Sequence, residues 1–248
     1  MNQIYQSLCD RKSVRIFENK VVEPVIKDAL INAAFQAPTA GNQMLYSIID
    51  ITDLKLKKDL AESCDHQDFI VDAPIVFVFV ADTRRWYDHY IEAGLTPRKP
   101  GSGDILLAIE DTMIAAQNSV VAAESFGLGS VYIGDIIENI ERVRNLLNLD
   151  EFLIPISMVI YGYPTQKQKE RIKPKRFDKQ YIVHENIYRR LSSNEQREMF
   201  KDTIGVNDLG FDEYIKRFYN RKYGSDFAKE MTRSSDLYLK TFLDTLDE

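Results

Sequence analysis

Hydrophobic positions repeat with a helical period in some segments of the chain and form short apolar runs in others. The helical spacing predicts helices over residues 4–9, 24–37, 54–63, 104–126 and 135–149. The short apolar and β-branched runs predict strands over residues 47–52, 75–80, 129–134 and 155–164. The run IVFVFV at 75–80 does not alternate, so we expect that strand to be buried on both faces.

Segments rich in proline, glycine or basic residues separate these elements and predict loops over residues 37–43, 86–103 and 167–179. Three further helices are predicted near residues 187–202, 211–222 and 226–245. The order predicts one mixed α+β sheet with helices on both faces and a helical C-terminal extension. We divide the chain into a domain over residues 1–190 and an extension over residues 191–248.

Composition and charge narrow the class of protein. A chain of 248 residues with 44% hydrophobic and 28% charged residues is typical of a globular protein, and a net charge of −6 argues against broad nucleic-acid binding. The long apolar stretch from Ile105 to Leu128 contains acidic and amide residues, which favours a buried helix over a membrane span. The N-terminus does not resemble a secretory signal, and the two cysteines, Cys9 and Cys64, predict a reducing, cytoplasmic location.

Two basic clusters could hold an anion. Arg11, Lys12, Ser13 and Arg15 offer guanidinium forks and a hydroxyl that suit a phosphate, although a solvated basic turn has the same composition. The second cluster surrounds Pro174 and consists of Lys167, Lys169, Arg171, Lys173, Lys175 and Arg176. In a chain that is acidic overall, two local basic clusters favour one convergent anion site, and solvated loops are the alternative.

Two glycine-containing segments are the other candidates for ligand contact. The loop at 37–43 carries Thr39, Asn42 and Gln43 beside glycine, and Tyr132, Ile133 and Gly134 end a strand, where open sheets place ligands. Either segment could equally be an ordinary turn that binds no ligand. Dinucleotide, P-loop and hydrolase-elbow motifs are absent, and the spacing of the three histidines predicts no metal site.

Six motifs occur in the order found in the FMN-dependent nitroreductase family. They are DRKSVRIF at 10–17, AAFQAPTAGNQ at 33–43, AAESFGLGSVYIG at 122–134, GYP at 162–164, IKPK at 172–175 and VHENIY at 183–188. The chain resembles most closely the branch of NADPH-preferring flavin reductases and oxygen-insensitive nitroreductases. That resemblance implies an intertwined homodimer with a mainly antiparallel sheet, in which FMN binds at the dimer interface and residues 1–190 form the FMN-binding domain.

The resemblance also assigns roles to individual residues. Arg11 and Ser13 map to the phosphate and ribityl end of FMN, and Lys12 between them is included among the cofactor-binding residues. Arg15 maps to the N1 and O2 edge of the ring, where it would tune the flavin. Gln67 maps to the pyrimidine edge, Tyr132 and Ile133 to the strand end at the ring, and the Gly134 amide to N5. Pro38, Thr39, Ala40 and Gly41 would come from the other subunit. Lys173 and either Lys175 or Arg176 map to the late phosphate-binding pair.

The implied activity is two-electron transfer from NADPH, or NADH, through FMN to a nitroaromatic, quinone or free flavin, with no catalytic side chain. Arg217, Arg221, Lys222 and Arg233 are the candidates for the 2′-phosphate of NADPH. Family relatives that dehalogenate or dehydrogenate keep the fold and change the chemistry, which is the first alternative. A non-enzymatic phosphate-binding module is the second. The physiological acceptor and the role of the loop at 86–103 are left open.

Overall fold

The computed structural model of the chain describes residues 2–205 and 208–243. Its strands are β1 (Tyr46–Asp50), β2 (Ile75–Asp82), β3 (Gly129–Ile133) and β4 (Leu153–Gly162). Its helices are α1 (Gln3–Asp10), α2 (Pro24–Phe35), α3 (Leu54–Ser63), α4 (Arg84–Glu92), α5 (Ser102–Ser125), α6 (Ile140–Leu147), α7 (Gln166–Glu170), α8 (Lys179–Ile182), α9 (Ser193–Ile204), α10 (Asp208–Arg221) and α11 (Asp226–Leu243). Short 3₁₀ turns cover Ala40–Asn42, Asp68–Ile70 and Gly134–Ile137.

The strands form one antiparallel sheet in the order β1-β2-β4-β3. A parallel pairing occurs among the described residues as the isolated bridge between Ser13 and Ser130. The whole of β2 is buried, as its lack of alternation predicts. The predicted α+β fold, with an antiparallel sheet and flanking helices, is therefore confirmed.

The two faces of the sheet carry separate hydrophobic cores. Val76, Val78 and Val80 of β2 belong to the core that includes residues of α3 and α6. Phe77 and Phe79 point the other way and belong to the core that includes residues of α2 and α5. Successive side chains of a strand alternate between faces, so one continuous apolar run supplies both cores.

Helix α5 is buried along one side and exposed along the other. It is long and apolar enough to cross a membrane by length and composition, but its alanines pack against α2 and the sheet. The side chains of Leu106, Met113 and Ile114 remain exposed in this single chain. The expected burial of this segment is therefore correct for only one of its faces.

The segment at 86–103 is not the loop that its prolines and glycines predict, because helix α4 occupies its first part. Arg84 pairs with Asp88 one turn later at 2.7 Å, and the Trp86 Nε1–H donates to the Gln43 carbonyl at 2.9 Å. The helix ends before Gly94, which has a φ of +77°. The sequence did not reveal this helix, because its apolar side is formed largely by aromatic rather than aliphatic side chains.

The predicted helix at 135–149 is interrupted. A 3₁₀ turn, Gly134–Ile137, precedes α6, and Asn139 lies between them with a φ of +51°. Asparagine tolerates this left-handed conformation better than most residues do, so it breaks the helix without glycine or proline. The predicted helix at 187–202 likewise starts late, at Ser193, because Ser192 and Glu195 form a capping box there.

The described chain forms two compact units. The first contains residues up to Arg171 together with those from Glu230 onward, and the second contains Ile172–Lys229. In the first, Tyr238 and Phe242 of α11 join a core with Phe152. The boundaries of these units differ from the predicted division at residue 190, because residues from 230 onward pack with the first unit. The division into an FMN-binding domain and an extension stays a prediction.

Candidate functional site

A pair of glycines brings the N-terminal basic segment against the sheet. Gly129 and Gly162 face each other in the β3–β4 register. A Cβ added to Gly129 would lie 2.5 Å from Val14 Cγ2, and one added to Gly162 would lie 2.7 Å from the Phe17 ring. The Val14 amide donates to the Ser130 carbonyl at 2.9 Å. The segment at 11–17 therefore lies directly on strand backbone, where only glycine leaves enough space.

Arg11 stands out in this segment because part of its side chain is buried without a partner. Its guanidinium carbon is 5.9 Å from the centroid of the Tyr132 ring. Its Nε is buried and has no hydrogen-bond partner among the described residues. A buried charged donor without an acceptor is unfavourable, so this position suits an anionic ligand.

Tyr132 forms the other side of this contact. Burial raises the pKa of Tyr132 to about 12, and the positive charge of Arg11 opposes that rise. The Tyr132 hydroxyl donates to Gln117 Oε1 of α5 at 3.1 Å. The phenol is therefore neutral and held in place at neutral pH, next to the Arg11 guanidinium.

The three other predicted residues of this segment are arranged differently. The Lys12 Nζ donates to the carbonyls of Lys169 and Arg171 at 2.5 and 2.6 Å, which directs its charge toward the main chain. The Arg171 guanidinium in turn donates to the Ser13 carbonyl. The exposed Arg15 side chain lies with its guanidinium carbon 6.0 Å from the Phe69 ring. Lys12 thus joins the 11–17 segment to the chain after α7.

The loop that contains Pro38, Thr39, Ala40 and Gly41 is held by one buried carboxylate. Asp111 of α5 accepts hydrogen bonds from the Thr39 hydroxyl, from the Ala40 amide at 3.0 Å and from the Leu45 amide at 3.1 Å. Gly41 has a φ of +58°, a left-handed conformation that glycine adopts without strain. Asp111 therefore fixes the conformation of the loop through three donors.

We expect replacement of Asp111 by asparagine to destabilise the protein. The amide group would present N–H donors to Thr39 and Leu45, so the free energy of unfolding should fall by about 1–3 kcal/mol. Urea unfolding measures this change. Asp150→Asn, at an exposed position between α6 and β4, is the matched control and should change stability by less than about 0.5 kcal/mol. Equal stabilities of the two variants would contradict the role given to Asp111.

The end of β3 offers open space next to backbone. Ile133 is buried in the core, and the chain then turns at Gly134, where an added Cβ would meet no atom within 4 Å. Gln67 is half-buried and follows Asp65 and His66, which both have left-handed φ values of +58° and +54°. The space beside the Gly134 backbone is therefore open to a ligand.

A buried carboxylate follows this turn. Glu138 is only 4% exposed, and burial, together with the negative charges of Asp135, Asp65 and Glu230, raises its pKa to about 7. Cys64 lies near the same acids, and burial raises the pKa of its thiol. The thiol is therefore protonated and unreactive at neutral pH.

The raised pKa of Glu138 predicts a pH-dependent stability. Between the ordinary carboxyl pKa and about pH 7 the folded protein binds more protons than the unfolded chain, so stability falls as the pH rises through that window. Glu138→Gln should remove this loss. We expect the gain in unfolding free energy over the parent to be larger at pH 8 than at pH 4.5 by about 1–2 kcal/mol. A gain independent of pH, in thermal or urea unfolding, would contradict the assignment.

The remaining predicted binding residues belong to the second compact unit or to α11. Lys173 is half-buried and Lys175 is exposed in the second unit. Arg233 donates to both carboxylate oxygens of Glu141 at 2.8 and 2.9 Å and also pairs with Glu230. The bond from Arg233 lowers the pKa of Glu141 to about 2. Two carboxylates already match the charge of Arg233, which does not suit it to a phosphate.

The other three candidates for the 2′-phosphate lie in the second unit, and two of them differ from Arg233 in having no carboxylate partner in the described part of the chain. Arg217 pairs with Glu213 at 3.0 Å, whereas Arg221 and Lys222 lie over the rings of Phe218 and Phe227. Neither Arg221 nor Lys222 has a carboxylate partner among the ion pairs of the described residues. These two cations are therefore the better candidates within the second unit.

The sequence alone did not identify Asp111, Glu138 or the close contact of Gly129 and Gly162 with the 11–17 segment. Asp111 interrupts an otherwise apolar helical stripe, and that interruption is a signal that could have identified it. Glu138 carries no comparable signal, because its burial depends on the break at Asn139. The glycine pair is recognisable only from the register of β3 against β4.

Comparison with known proteins assigns the fold to a family. The nitroreductase family model matches residues 8–163, more than half of the chain. An NADPH-dependent oxidoreductase of Staphylococcus aureus (strain MSSA476) is 27% identical over 99% of this chain and 95% of its own length. The structure of NfrA2 from B. megaterium is 27% identical with a TM-score of 0.76, covering 94% of this chain and 98% of its own.

The NADPH:FMN oxidoreductase from Vibrio harveyi, solved in complex with NAD⁺, is similar in fold. Its TM-score is 0.80 over 98% of this chain and 99% of its own, with 23% identity. The family match and the full-length similarity agree with the fold and with the order of the motifs. This chain belongs to the nitroreductase family of FMN-dependent NAD(P)H oxidoreductases and is an enzyme of that class.

Proposed function

We propose that this enzyme binds FMN against the 11–17 segment and the end of β3, and transfers electron pairs from NADPH to a quinone, nitroaromatic or free flavin. The buried Arg11 Nε that lacks a partner is the observation that carries this proposal. A phosphate oxygen supplies the acceptor that this donor needs. The open space at Gly134 suits a flat ring lying against backbone.

Each part of the site has a proposed task. Arg11 and Ser13 hold the phosphate and ribityl end, and Lys12 supports them by tying the segment to the Lys169 and Arg171 carbonyls. Arg15 places positive charge at the ring and favours its reduced state. When bound, FMN supplies two-electron hydride chemistry. No side-chain base or nucleophile is needed, so the remaining residues would orient FMN and enclose it.

Other proposed contacts come from Gln67 at the pyrimidine edge and from the strand end formed by Tyr132, Ile133 and Gly134. The loop at 38–41, held by Asp111, is proposed to contact FMN of the second subunit. Lys173 and either Lys175 or Arg176 complete the proposed phosphate contacts. For the 2′-phosphate of NADPH we propose Arg221 and Lys222, since no carboxylate pairs with them among the described residues.

Steady-state kinetics test this function. One pocket that serves donor and acceptor in turn predicts parallel double-reciprocal lines for NADPH against 1,4-benzoquinone. We expect NADPH to give a higher kcat/KM than NADH. Intersecting lines would contradict a shared pocket. A flavin-containing protein without turnover of quinones or nitroaromatics would favour the relatives that dehalogenate or dehydrogenate.

We further propose that the enzyme is an intertwined homodimer in the cytoplasm. Leu106, Met113 and Ile114 lie on one face of α5 and are 62%, 37% and 40% exposed in the single chain. An apolar helix face of this kind is typical of a subunit interface. Cys9 and Cys64 form no disulfide among the described residues, which suits a reducing compartment.

Replacing Ile114 with glutamate should therefore disrupt the dimer. The introduced charge would be desolvated in the interface, which costs several kcal/mol. Light scattering coupled to size exclusion should give the mass of one chain, with an unchanged circular dichroism spectrum. Leu54→Glu is the matched control, because Leu54 is exposed on α3, against the opposite face of the sheet. A dimeric Ile114→Glu variant would contradict this interface.

A further inference from the structure

A cavity of about 310 Å³ lies in the first compact unit beside α4. Aromatic rings of Trp86, Tyr87 and Tyr90 form much of its wall, and Leu45, Pro97 and Leu107 contribute further apolar surface. Its volume is near the lower end of the range typical of small-molecule sites. None of these residues belongs to the proposed FMN contacts.

The aromatic wall is held in a fixed position. The Trp86 indole donates its N–H to the Gln43 carbonyl at 2.9 Å, and its ring centroid is 6.0 Å from that of Tyr90. The Tyr87 ring packs at 5.6 Å against Phe152 in the core. The Trp86 and Tyr87 rings are therefore held by contacts within the protein, so a ligand would meet a preformed surface.

An ion pair also lines the cavity. Arg98 binds both oxygens of Asp104, at 2.5 and 3.0 Å, and Asp104 also accepts the Gly101 amide at 2.7 Å. This pairing ties the segment after α4 to the first turn of α5. The bidentate geometry leaves no net charge at the cavity.

Three polar groups in the wall of the cavity are already engaged within the protein. The buried Thr83 hydroxyl donates to the Phe152 carbonyl at 3.1 Å, and the indole N–H and the Arg98–Asp104 pair are engaged as described. A ligand would therefore gain mainly ring stacking and apolar contact from this wall. A charged ligand would lose its hydration without a partner.

We propose that this cavity binds a planar, uncharged aromatic ring that packs against Trp86 and Tyr90. The site goes beyond the proposed function, because its occupation requires neither FMN nor NADPH. Trp86 is the only tryptophan of the chain, so its emission reports on this cavity alone.

The test is a titration of the oxidised holoenzyme with 4-bromobenzyl alcohol, whose bromine quenches indole emission on contact. We expect saturable quenching, and a Kd raised by about five- to tenfold in Tyr90→Ala, as the loss of one aromatic contact predicts. Ile91→Ala, at the next and exposed position of α4, is the matched control and should keep the Kd within about twofold. Quenching that rises linearly without saturation would overturn the proposal.

A second pair of variants separates loss of the site from local distortion of α4. Leu107→Ala removes a wall residue on α5 and should also weaken binding several-fold, whereas Leu54→Ala, at an exposed position of α3, should not. An unchanged Kd in both Tyr90→Ala and Leu107→Ala would overturn the assignment to this cavity. Binding of 4-bromobenzoate as tight as that of the alcohol would overturn the uncharged class. No NADPH is present, so the result is independent of flavin reduction.

Discussion

Replacing Arg11 with alanine is expected to weaken FMN binding by about 10- to 100-fold, the loss that removal of a charge-assisted hydrogen bond produces. The Arg11 Nε is buried without a partner, so the ligand would supply the acceptor that the protein does not. Flavin retained through gel filtration, and the Kd for FMN added back to the apoprotein, measure the effect. The apoprotein of the variant should keep the fold of the parent.

Two further variants make this result specific. Arg11→Lys keeps the charge but lacks the Nε–H, so it should restore only part of the affinity. Arg142→Ala removes an arginine that pairs with Glu62 on the surface, and it should retain FMN as the parent does. Full flavin content in Arg11→Ala would contradict the phosphate assignment.

Gly129→Ala is expected to destabilise the protein by about 1–3 kcal/mol and to lower its FMN content, because added volume in a packed contact forces backbone to shift. The new methyl group would lie 2.5 Å from Val14 Cγ2. Because Val14 lies between Ser13 and Arg15, its displacement moves the basic segment away from β3. Urea unfolding and flavin absorbance measure the two effects.

A double-mutant cycle tests the cause of this loss. Val14→Ala removes the side-chain atoms that the new methyl group would meet, so the combination with Gly129→Ala should cost less than the two single changes added together. Gly103→Ala is the matched control, since an added Cβ there meets no atom within 4 Å. If the losses of unfolding free energy in the double variant were additive, the contact between Gly129 and Val14 would be contradicted.

The elements that depend on local pattern could be predicted from the sequence. Helix α3 matches its predicted range, and β2 was identified as buried on both faces because its apolar run has no polar alternation. Helix α4 was missed, since its stability depends on contacts such as that of Trp86 with the Gln43 carbonyl. Such contacts join positions far apart in the chain and leave no periodic signal.

In the candidate site, too, the residue types could be predicted from the sequence, whereas their hydrogen-bond partners could not. The basic segment at 11–15 was predicted from residue type, yet the different arrangement of Arg11 and Lys12 depends on which acceptors the fold brings near. Asp111 was visible only as an acid within an apolar helix, and its three donors lie more than sixty positions away. Residue chemistry is local, whereas its partners are set by the tertiary fold.

FMN-dependent electron transfer from NADPH is tested most directly by an anaerobic absorbance titration of the purified enzyme with NADPH, followed by 1,4-benzoquinone. We expect a flavin spectrum that bleaches with about one equivalent of NADPH per FMN and recovers when the quinone is added, as a two-electron cofactor requires. A bound flavin that stays oxidised in the presence of NADPH and NADH, or a protein that does not take up FMN, would contradict it.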